Sequence, residues 1–589
     1  MEWQDIVMDR AISMVERDKN HPSILIWSCG NESYAGDVIL NVSDYFREKD
    51  STRLVHYEGV FYDRNYDRTS DMESRMYAKV ADIEEYLNNN PGKPYISCEY
   101  MHAMGNSLGG IHKYTELEQK YPMYQGGFIW DYMDQVIMKK DRYGKEFMAY
   151  GGDFDDRSTD YNFSGNGIVY ADRRWSPKMQ EVKFVYQNVK LVPSLTGVTI
   201  RNENLFVSTD AYELVYTLNK EGKQLFTGRM DVHVAPGEEK QVAFTLPEVS
   251  GQPGEYSVDC SLVLKEGTLW AEAGYEVCFG QHVFLVEEAK GDISAKSSVA
   301  SNDFRVVEGD VNIGVHGRDF SIMFSKQAGT LISVNYGGRE MISAPPAPLF
   351  WRAMTDNDKG AGFHFESSAW HAASLSRRTT SFELVEAEGQ ATITYTYKLN
   401  VHEDVRVKVA YTVFTDGSIQ VDSTYKGVSG LPKFPIFALS FKVPADYANL
   451  DWYAKGPEEN YVDRAEGARL TRFKNRAEDN VSAYLVPQES GNRTGVRQVA
   501  ITNDTGKGIL ITAPATQPVE AGISPYTAFE LEQATHHYEL PNVHHTVVTI
   551  AGCQMGVGGD DSWGAPVLDE YMIDPSGELS FQFTIRNNG

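Results

Sequence analysis

The stretch Pro94-Tyr-Ile-Ser-Cys-Glu-Tyr-Met-His-Ala-Met-Gly-Asn106 decides the fold of this chain. Residues Tyr95 to Cys98 follow a turn rich in Asn, Gly and Pro, and they predict a short buried strand. Glu99 comes directly after that strand and is followed by Tyr100, so its carboxylate has few polar neighbours in sequence. An unpaired carboxylate in such a place lowers the stability of the fold, so a chain that keeps it usually has a function for it. The stretch therefore predicts a strand that carries a functional acid.

A second stretch has the same form. Ser23-Ile-Leu-Ile-Trp-Ser28 predicts a strand, and Glu32 follows it as Glu99 follows the first. Strands and amphipathic helices alternate from residue 3 to residue 132, which is typical of parallel βα units. Two carboxylates at the C-terminal ends of parallel strands predict a barrel active site that works with a pair of acids. About five units are present where a closed (β/α)8 barrel has eight strands, so about three are expected to be missing upstream.

The pattern changes near Lys190, after which short alternating runs are separated by Gly and Pro turns. Such runs predict β-sandwiches, a small one of immunoglobulin size and then a large two-sheet domain. The predicted fold class is therefore α/β plus all-β. The predicted domains are a partial TIM barrel comprising strands 4–8 (1–189), an immunoglobulin-like β-sandwich (190–286) and a large C-terminal β-sandwich (287–589).

Charge and composition narrow the class of partner. The 589 residues carry 55 Lys and Arg against 82 Asp and Glu, a net charge of −27, which argues against nucleic acid or an anionic membrane. No stretch of the sequence is long and apolar enough to predict a membrane span. Five scattered cysteines imply no disulfide framework. The predicted compartment is the cytoplasm, with the periplasm as the alternative.

Several motifs together resemble glycoside hydrolase family 2, and within it the large five-domain bacterial β-galactosidases. They include residues 20–33, the 98–106 segment, Gly126-Gly-Phe-Ile-Trp-Asp131, Tyr150-Gly-Gly-Asp-Phe154, Thr355-Asp-Asn-Asp358, Gly456-Pro-Glu-Glu-Asn-Tyr461 and Met555-Gly-Val-Gly-Gly-Asp-Asp-Ser-Trp563. The resemblance covers the whole chain and implies that the last domain is a galactose-mutarotase-like sandwich. It also implies that the chain is the C-terminal portion of such an enzyme, beginning just before barrel strand four.

The resemblance implies a retaining double displacement on terminal β-D-galactosides such as lactose. By motif position Glu99 resembles the nucleophile and Glu32 the acid/base, and such enzymes hold the two carboxyl groups about 5 Å apart. Tyr77 and His102 resemble further catalytic residues. The implied substrate-binding residues are Asn31, Met76, Trp130 and Asn166.

The same resemblance implies two metal ions. Mg²⁺ would be held by Glu32 and by upstream ligands that this chain does not contain, so that site is expected to be incomplete. Na⁺ would be held by the Phe163 carbonyl and Asn166, again without an upstream Asp. The tryptophan on which relatives stack the leaving group is expected to align with Val547, which puts the preference of the leaving-group site in doubt.

The expected activity of this chain alone is weak or absent, because three missing strands would leave a barrel edge exposed. Three alternatives stay open: a non-catalytic galactoside-binding or scaffold chain, one half of a split enzyme completed by a separate N-terminal chain, and a truncated gene model. The full-length form is expected to be a homo-oligomer.

Overall fold

A computed structural model describes residues 2–287 and 303–589. Residues 288–302, at the start of the predicted third domain, lie outside the described residues. Within the described ranges, no helix has both the length and the apolar character needed to cross a membrane.

The first part of the chain alternates strands and helices, as the sequence predicts. Its helices are α1 (Gln4–Asp18), α2 (Asp37–Lys49), α3 (Val80–Asn88), α4 (Ile111–Lys120) and α5 (Lys178–Val185). Its strands are β1 (Ile26–Ser28), β2 (Leu54–His56), β3 (Glu73–Met76), β4 (Tyr95–Tyr100), β5 (Tyr124–Ile129), β6 (Ile137–Lys140) and β7 (Glu146–Ala149). β1 and β2 pair in parallel, β3, β4 and β5 pair in parallel, and β6 and β7 form an antiparallel hairpin.

The five parallel strands form two sheets, β1-β2 and β3-β4-β5. Asp71 is one of the residues that join the sheets: its carboxylate accepts a hydrogen bond from the Val55 N–H at 2.7 Å, and its own N–H donates to the Val55 carbonyl at 2.8 Å. A side chain therefore takes the place of one ladder bond, so the predicted run of consecutive barrel strands is interrupted between β2 and β3.

Helices α1 and α2 cover the β1-β2 sheet through a small apolar core. Its buried members are Ala11, Val15, Trp27, Val42, Phe46 and Val55. A second core lies under β4 and β5 and against α3, α4 and α5. Each helix buries one face, which is why the sequence shows helical periodicity here.

The second unit is a β-sandwich of the size predicted. Its strands are β8 (Val189–Pro193), β9 (Gly197–Asn202), β10 (Tyr212–Lys220), β11 (Lys223–Asp231), β12 (Glu239–Ala243), β13 (Gly254–Leu264) and β14 (Glu276–Val286). They form a four-stranded sheet, β11-β10-β13-β14, and a three-stranded sheet, β12-β9-β8. Cys260 and Cys278 lie in the core between them as free thiols.

The third unit is the large β-rich domain. Its strands are β15 (Arg305–Glu308), β16 (Asn312–His316), β17 (Phe320–Ser325), β18 (Thr330–Tyr336), β19 (Arg339–Glu340), β20 (Ala344–Leu349), β21 (Arg377–Ala387), β22 (Gln390–Leu399), β23 (Arg406–Phe414), β24 (Ile419–Lys426), β25 (Ile436–Pro444), β26 (Asn449–Gly456), β27 (Arg469–Arg476), β28 (Asn492–Val496), β29 (Gln498–Thr502), β30 (Gly508–Thr512), β31 (Val519–Ser524), β32 (His545–Gln554) and β33 (Glu578–Asn588). Its short helices are α6 (Asp356–Gly360), α7 (Phe363–Glu366), α8 (Ser368–Leu375) and α9 (Ala528–Gln533).

A nine-stranded and a five-stranded sheet of this unit share one continuous core, and a further five-stranded meander, β15 to β19, packs into the same core. The two-sheet prediction is thus confirmed in its main feature. The meander and the four short helices are additions that the alternating pattern alone did not show.

The loop 105–110, which follows β4, docks onto this third unit through its backbone. Gly109 donates to the carbonyl of Gly558 at 2.8 Å, and Gly110 donates to the carbonyl of Asp463 at 2.7 Å. The carboxyl end of the strand that carries Glu99 is therefore fixed by two residues of the third unit, Asp463 and Gly558, that lie more than 350 positions away in sequence.

Candidate active site

Glu99 lies inside β4 rather than after it, because the strand continues to Tyr100. A shift of register between β3 and β4 pairs Met76 with Glu99. Tyr77, with a left-handed φ of 50°, then donates its N–H to the Glu99 carbonyl at 2.8 Å and its phenol to Glu99 Oε2 at 2.8 Å. One tyrosine thus fixes both the backbone and the carboxylate of Glu99.

The electrostatics of Glu99 follow from burial and neighbouring charge. Burial raises the pKa of this half-buried carboxyl, and the hydrogen bond from Tyr77 lowers it in part. The negative charges of Glu32 and Glu58 raise the same pKa further. Burial, and then the bond to Glu99, raise the pKa of Tyr77, so this phenol stays protonated and acts as a donor.

Glu32 lies in the loop after β1 with a left-handed φ of 53° and an exposed side chain. Its N–H donates to Glu58 Oε1 at 2.7 Å. Glu58 is only 4% exposed, and burial raises its pKa. A cavity of about 860 Å³ opens beside Glu32 and is also lined by Met76 and Tyr77.

Glu58 is a site residue that the sequence analysis missed. The available signal was its position, since it follows β2 closely, as Glu32 follows β1. Because β1 and β2 are parallel neighbours, their C-terminal ends share one edge and the two acids come together.

His102 is buried beside Glu99 and is held by the third unit. Its Nδ1 forms a 2.8 Å hydrogen bond with Ser562 Oγ, and Ser562 in turn donates to Asn357 Oδ1 at 2.8 Å. Burial lowers the pKa of His102 to about 4, so the ring is neutral near pH 7.

Trp563 brings a third aromatic ring to this edge. Its ring lies edge-on to Tyr77 at a centroid distance of 4.8 Å and to His102 at 5.1 Å, and the side chain is 51% exposed. Val547, by contrast, is buried within β32. The expectation that placed the stacking position at Val547 is therefore wrong, because the exposed aromatic comes from the loop after β32 and not from the strand.

Trp130, Phe163 and Asn166 lie at the neighbouring strand end. The Trp130 carbonyl accepts from the N–H of Ala103, directly after His102, at 2.8 Å, and Trp130 is 39% exposed. The Phe163 ring lies 6.1 Å from that of His102. These contacts place Tyr77 next to Glu99, His102 next to Tyr77 and Phe163 next to His102. Met76 is the strand partner of Glu99.

The fit of the implied metal ions differs between the two sites. Asn166 donates to the Phe163 carbonyl at 2.7 Å, and its buried Oδ1 has no hydrogen-bond partner among residues 2–287 and 303–589, so two oxygens are available to a hard monovalent cation. Glu32, in contrast, belongs to none of the convergent groups of three or more His, Cys, Asp or Glu within residues 2–287 and 303–589. The described residues therefore fit Na⁺ in part and do not fit Mg²⁺.

Asn31 is exposed and lines a separate cavity of about 290 Å³, together with His56 and Cys98. The structure therefore places Asn31 in the same loop as Glu32, but on the side of the barrel interior.

Three family models match successive parts of the chain. Residues 1–191 match the TIM barrel domain of glycosyl hydrolases family 2, residues 198–284 match beta-galactosidase domain 4, and residues 316–585 match the beta-galactosidase small chain. Together they follow the three units seen in the structure.

Curated relatives match over nearly the whole chain. A beta-galactosidase from Halalkalibacterium halodurans is 62% identical over 99% of this chain and 58% of its own length. One from Clostridium acetobutylicum is 54% identical over 80% of this chain and 52% of its own length. One from Streptococcus thermophilus is 44% identical over 99% and 58%. The chain thus spans little more than half the length of these relatives, and by these matches it belongs to glycosyl hydrolase family 2.

Proposed function

We propose that this chain carries the catalytic carboxylates of a retaining glycoside hydrolase that removes terminal β-D-galactose from lactose-like β-galactosides. The observation that carries the proposal is the strand-end carboxylate of Glu99, held by the Tyr77 phenol at 2.8 Å beside a cavity that Glu32 lines. The similarity to beta-galactosidases supports the choice of sugar.

In the first step Glu99 attacks the anomeric carbon as Glu32 gives its proton to the departing glycosidic oxygen, which forms a glycosyl-enzyme. In the second step Glu32 takes a proton from water, and the resulting hydroxyl displaces Glu99 from the sugar with net retention. Tyr77 holds one oxygen of Glu99 and leaves the other free to attack. Glu99 must be ionised to attack. Because burial raises its pKa, the reaction needs a pH high enough to ionise this carboxyl.

The sugar would be bound by further predicted residues and by Trp563, which the sequence analysis did not predict as a site residue. Trp130, Trp563 and Phe163 offer apolar ring surface, which suits the faces of a pyranose. Neutral His102 can donate or accept a hydrogen bond, and Asn31 would face the 2-hydroxyl. Where Na⁺ is bound, Phe163 and Asn166 would hold it, and the ion would supply a further contact for a sugar hydroxyl.

A second candidate is one half of a two-chain enzyme, with a separate N-terminal chain as partner. Among the described strands, β1 pairs only with β2, so one side of the five-strand array is open. An open parallel array exposes apolar interior, and for that reason we expect weak turnover by this chain alone. Binding of galactosides without turnover would indicate a third role, a scaffold or lectin-like chain.

The test is hydrolysis of an aryl β-galactoside by the purified chain beside Glu99→Gln, Glu32→Gln and the control Glu116→Gln, whose carboxylate is exposed on α4. We expect loss of turnover in the first two variants only, and NMR of the first-formed galactose should show the β anomer. Where the parent chain turns over slowly, an N-terminal segment cloned from the Halalkalibacterium relative should raise the rate. Equal rates for parent and Glu99→Gln, with or without that segment, would refute the proposal.

A further inference from the structure

His56, Glu58 and Cys98 converge in the barrel interior, below the loop that carries Glu32. One ligand atom from each lies within 4.8 Å of the others. His56 ends β2, Glu58 follows it by two residues, and Cys98 comes from β4. Tetrahedral zinc sites place nitrogen and oxygen ligands about 2.0–2.2 Å and sulfur about 2.3 Å from the ion, so the three atoms need to close by only about 1 Å to share one ion.

The His56 ring is already held in orientation by two hydroxyls. Its Nδ1 lies 3.1 Å from Ser28 Oγ and its Nε2 lies 2.8 Å from Ser74 Oγ. Whichever nitrogen binds an ion, the other keeps a hydrogen-bond partner. Metal-bound histidines show this arrangement, in which the second nitrogen fixes the ring.

The Glu58 carboxylate lacks a cationic partner. It is 4% exposed, and none of the ion pairs among residues 2–287 and 303–589 includes it. Oε1 accepts the N–H of Glu32 at 2.7 Å, which leaves Oε2 free as a ligand. A buried acid without a counter-ion is unfavourable, and a bound divalent cation would neutralise it.

A cavity of about 290 Å³ is lined by all three residues and by Asn31 and Met72. That volume leaves room for a water molecule as fourth ligand. The donor set of imidazole, thiolate and one carboxylate suits zinc-class ions and not Mg²⁺ or Ca²⁺, which take oxygen ligands.

We propose that His56, Glu58 and Cys98 form a binding site for one zinc-class divalent ion, with an open fourth position toward the cavity. On binding, the Cys98 thiol loses its proton to solvent and the thiolate coordinates the ion. Because Glu58 also holds the Glu32 peptide, occupancy is expected to change the position of the acid/base loop. The site itself does not rest on the proposed hydrolysis, whereas this effect on Glu32 does.

The first measurement is titration of the purified chain with Co²⁺, whose absorption reports thiolate coordination. We expect one equivalent to produce a thiolate charge-transfer band, which Cys98→Ser abolishes and Cys553→Ser, a distant and partly exposed thiol, retains. His56→Gln should weaken binding by more than the 10–100-fold typical of outer-shell partners. A band that is absent, or unchanged in Cys98→Ser, would overturn the proposal.

A second measurement needs no variant and therefore no assumption about folding. One equivalent of Zn²⁺ should protect Cys98 from alkylation, read by mass spectrometry of peptides, while Cys29 and Cys553, the other partly exposed thiols, react as before. Equal protection of all three thiols, or of none, would contradict the site. Neither measurement requires turnover, so a chain without galactosidase activity tests the site equally well.

Discussion

At the scale of single residues, the Tyr77–Glu99 hydrogen bond lowers the pH at which the Glu99 carboxyl ionises. Burial raises the pKa of Glu99, and the phenol opposes this by stabilising the carboxylate. Tyr77→Phe removes the donor, so the pKa should rise further. A hydrogen bond to a charged group contributes about 1.5–3 kcal/mol, which corresponds to about one to two pH units.

The expected result is an acid limb of kcat/KM that moves to higher pH in Tyr77→Phe, because less Glu99 is ionised at any given pH below its pKa. The profile is measured with an aryl galactoside between pH 4 and 9. Tyr66→Phe, which removes a tyrosine–carboxylate bond to Asp37 on the surface, serves as the control. An acid limb that stays in place, or moves to lower pH, would show that Tyr77 does not stabilise the carboxylate.

Some site residues could be predicted from sequence because their position in a strand is visible there, whereas others depend on contacts between distant parts of the chain. Strand-end position located Glu99 and Glu32, since parallel strands end at one edge. Glu58 obeys the same rule but was not singled out, although β2, like β1, is a three-residue strand that an acid follows. Trp563 lies beyond any local rule: its proximity to Tyr77 depends on how the third unit docks, which is information that residues near Tyr77 do not carry.

At the scale of elements, the turn after β4 depends on a glycine with no space beside it. A Cβ on Gly109 would lie 1.9 Å from Asp463 Oδ2 and 2.8 Å from the Gly558 N. The Asp463 carboxylate cannot easily retreat, because it accepts the N–H groups of Val557 and Gly558 at 3.0 and 2.9 Å. The added methyl group would therefore displace the loop from its contact with the third unit.

We expect Gly109→Ala to lower stability by about 1–3 kcal/mol, the usual cost of overpacking, and to lower turnover because Glu99 lies on the same strand end. Gly92→Ala, in the turn before β4, is the matched control, since its Cβ would meet nothing within 4 Å. The measurement is the urea concentration at which each of the two variants is half unfolded. A Gly109→Ala protein with the midpoint of Gly92→Ala would show that the loop is not constrained.

Elements themselves were predicted better than their ends. The helices α2 and α3 are amphipathic, with one buried face each, and such periodicity is visible in sequence. The extension of β4 to Tyr100 was not visible, because it depends on a register shift against β3, and a shift of this kind is decided by pairing across strands. The break between β2 and β3 arises likewise from one side chain, that of Asp71.

At the scale of the whole molecule, the partial barrel and the large sandwich meet through buried polar groups. Glu181 of α5 is 2% exposed and accepts the N–H of Gly467 at 2.8 Å and that of Glu466 at 3.4 Å. Burial raises its pKa to about 7. The units are therefore joined by an acid that is neutral in mildly acidic solution and charged in basic solution.

This raised pKa makes docking depend on pH in a definite direction. The folded protein binds the Glu181 proton more tightly than the unfolded chain does, so its contribution to stability is complete below pH 4.5 and is lost as pH rises through about 7. The loss amounts to about 3 kcal/mol, from roughly 2.5 pH units at 1.36 kcal/mol each. Glu181→Gln keeps an acceptor for Gly467 and never ionises. Its urea midpoint should match that of the parent at pH 5 and exceed it at pH 8, whereas Glu116→Gln should follow the parent at both. If the midpoints of Glu181→Gln and the parent differ by the same amount at pH 5 and pH 8, the ionisation of Glu181 does not control how stably the two units are joined.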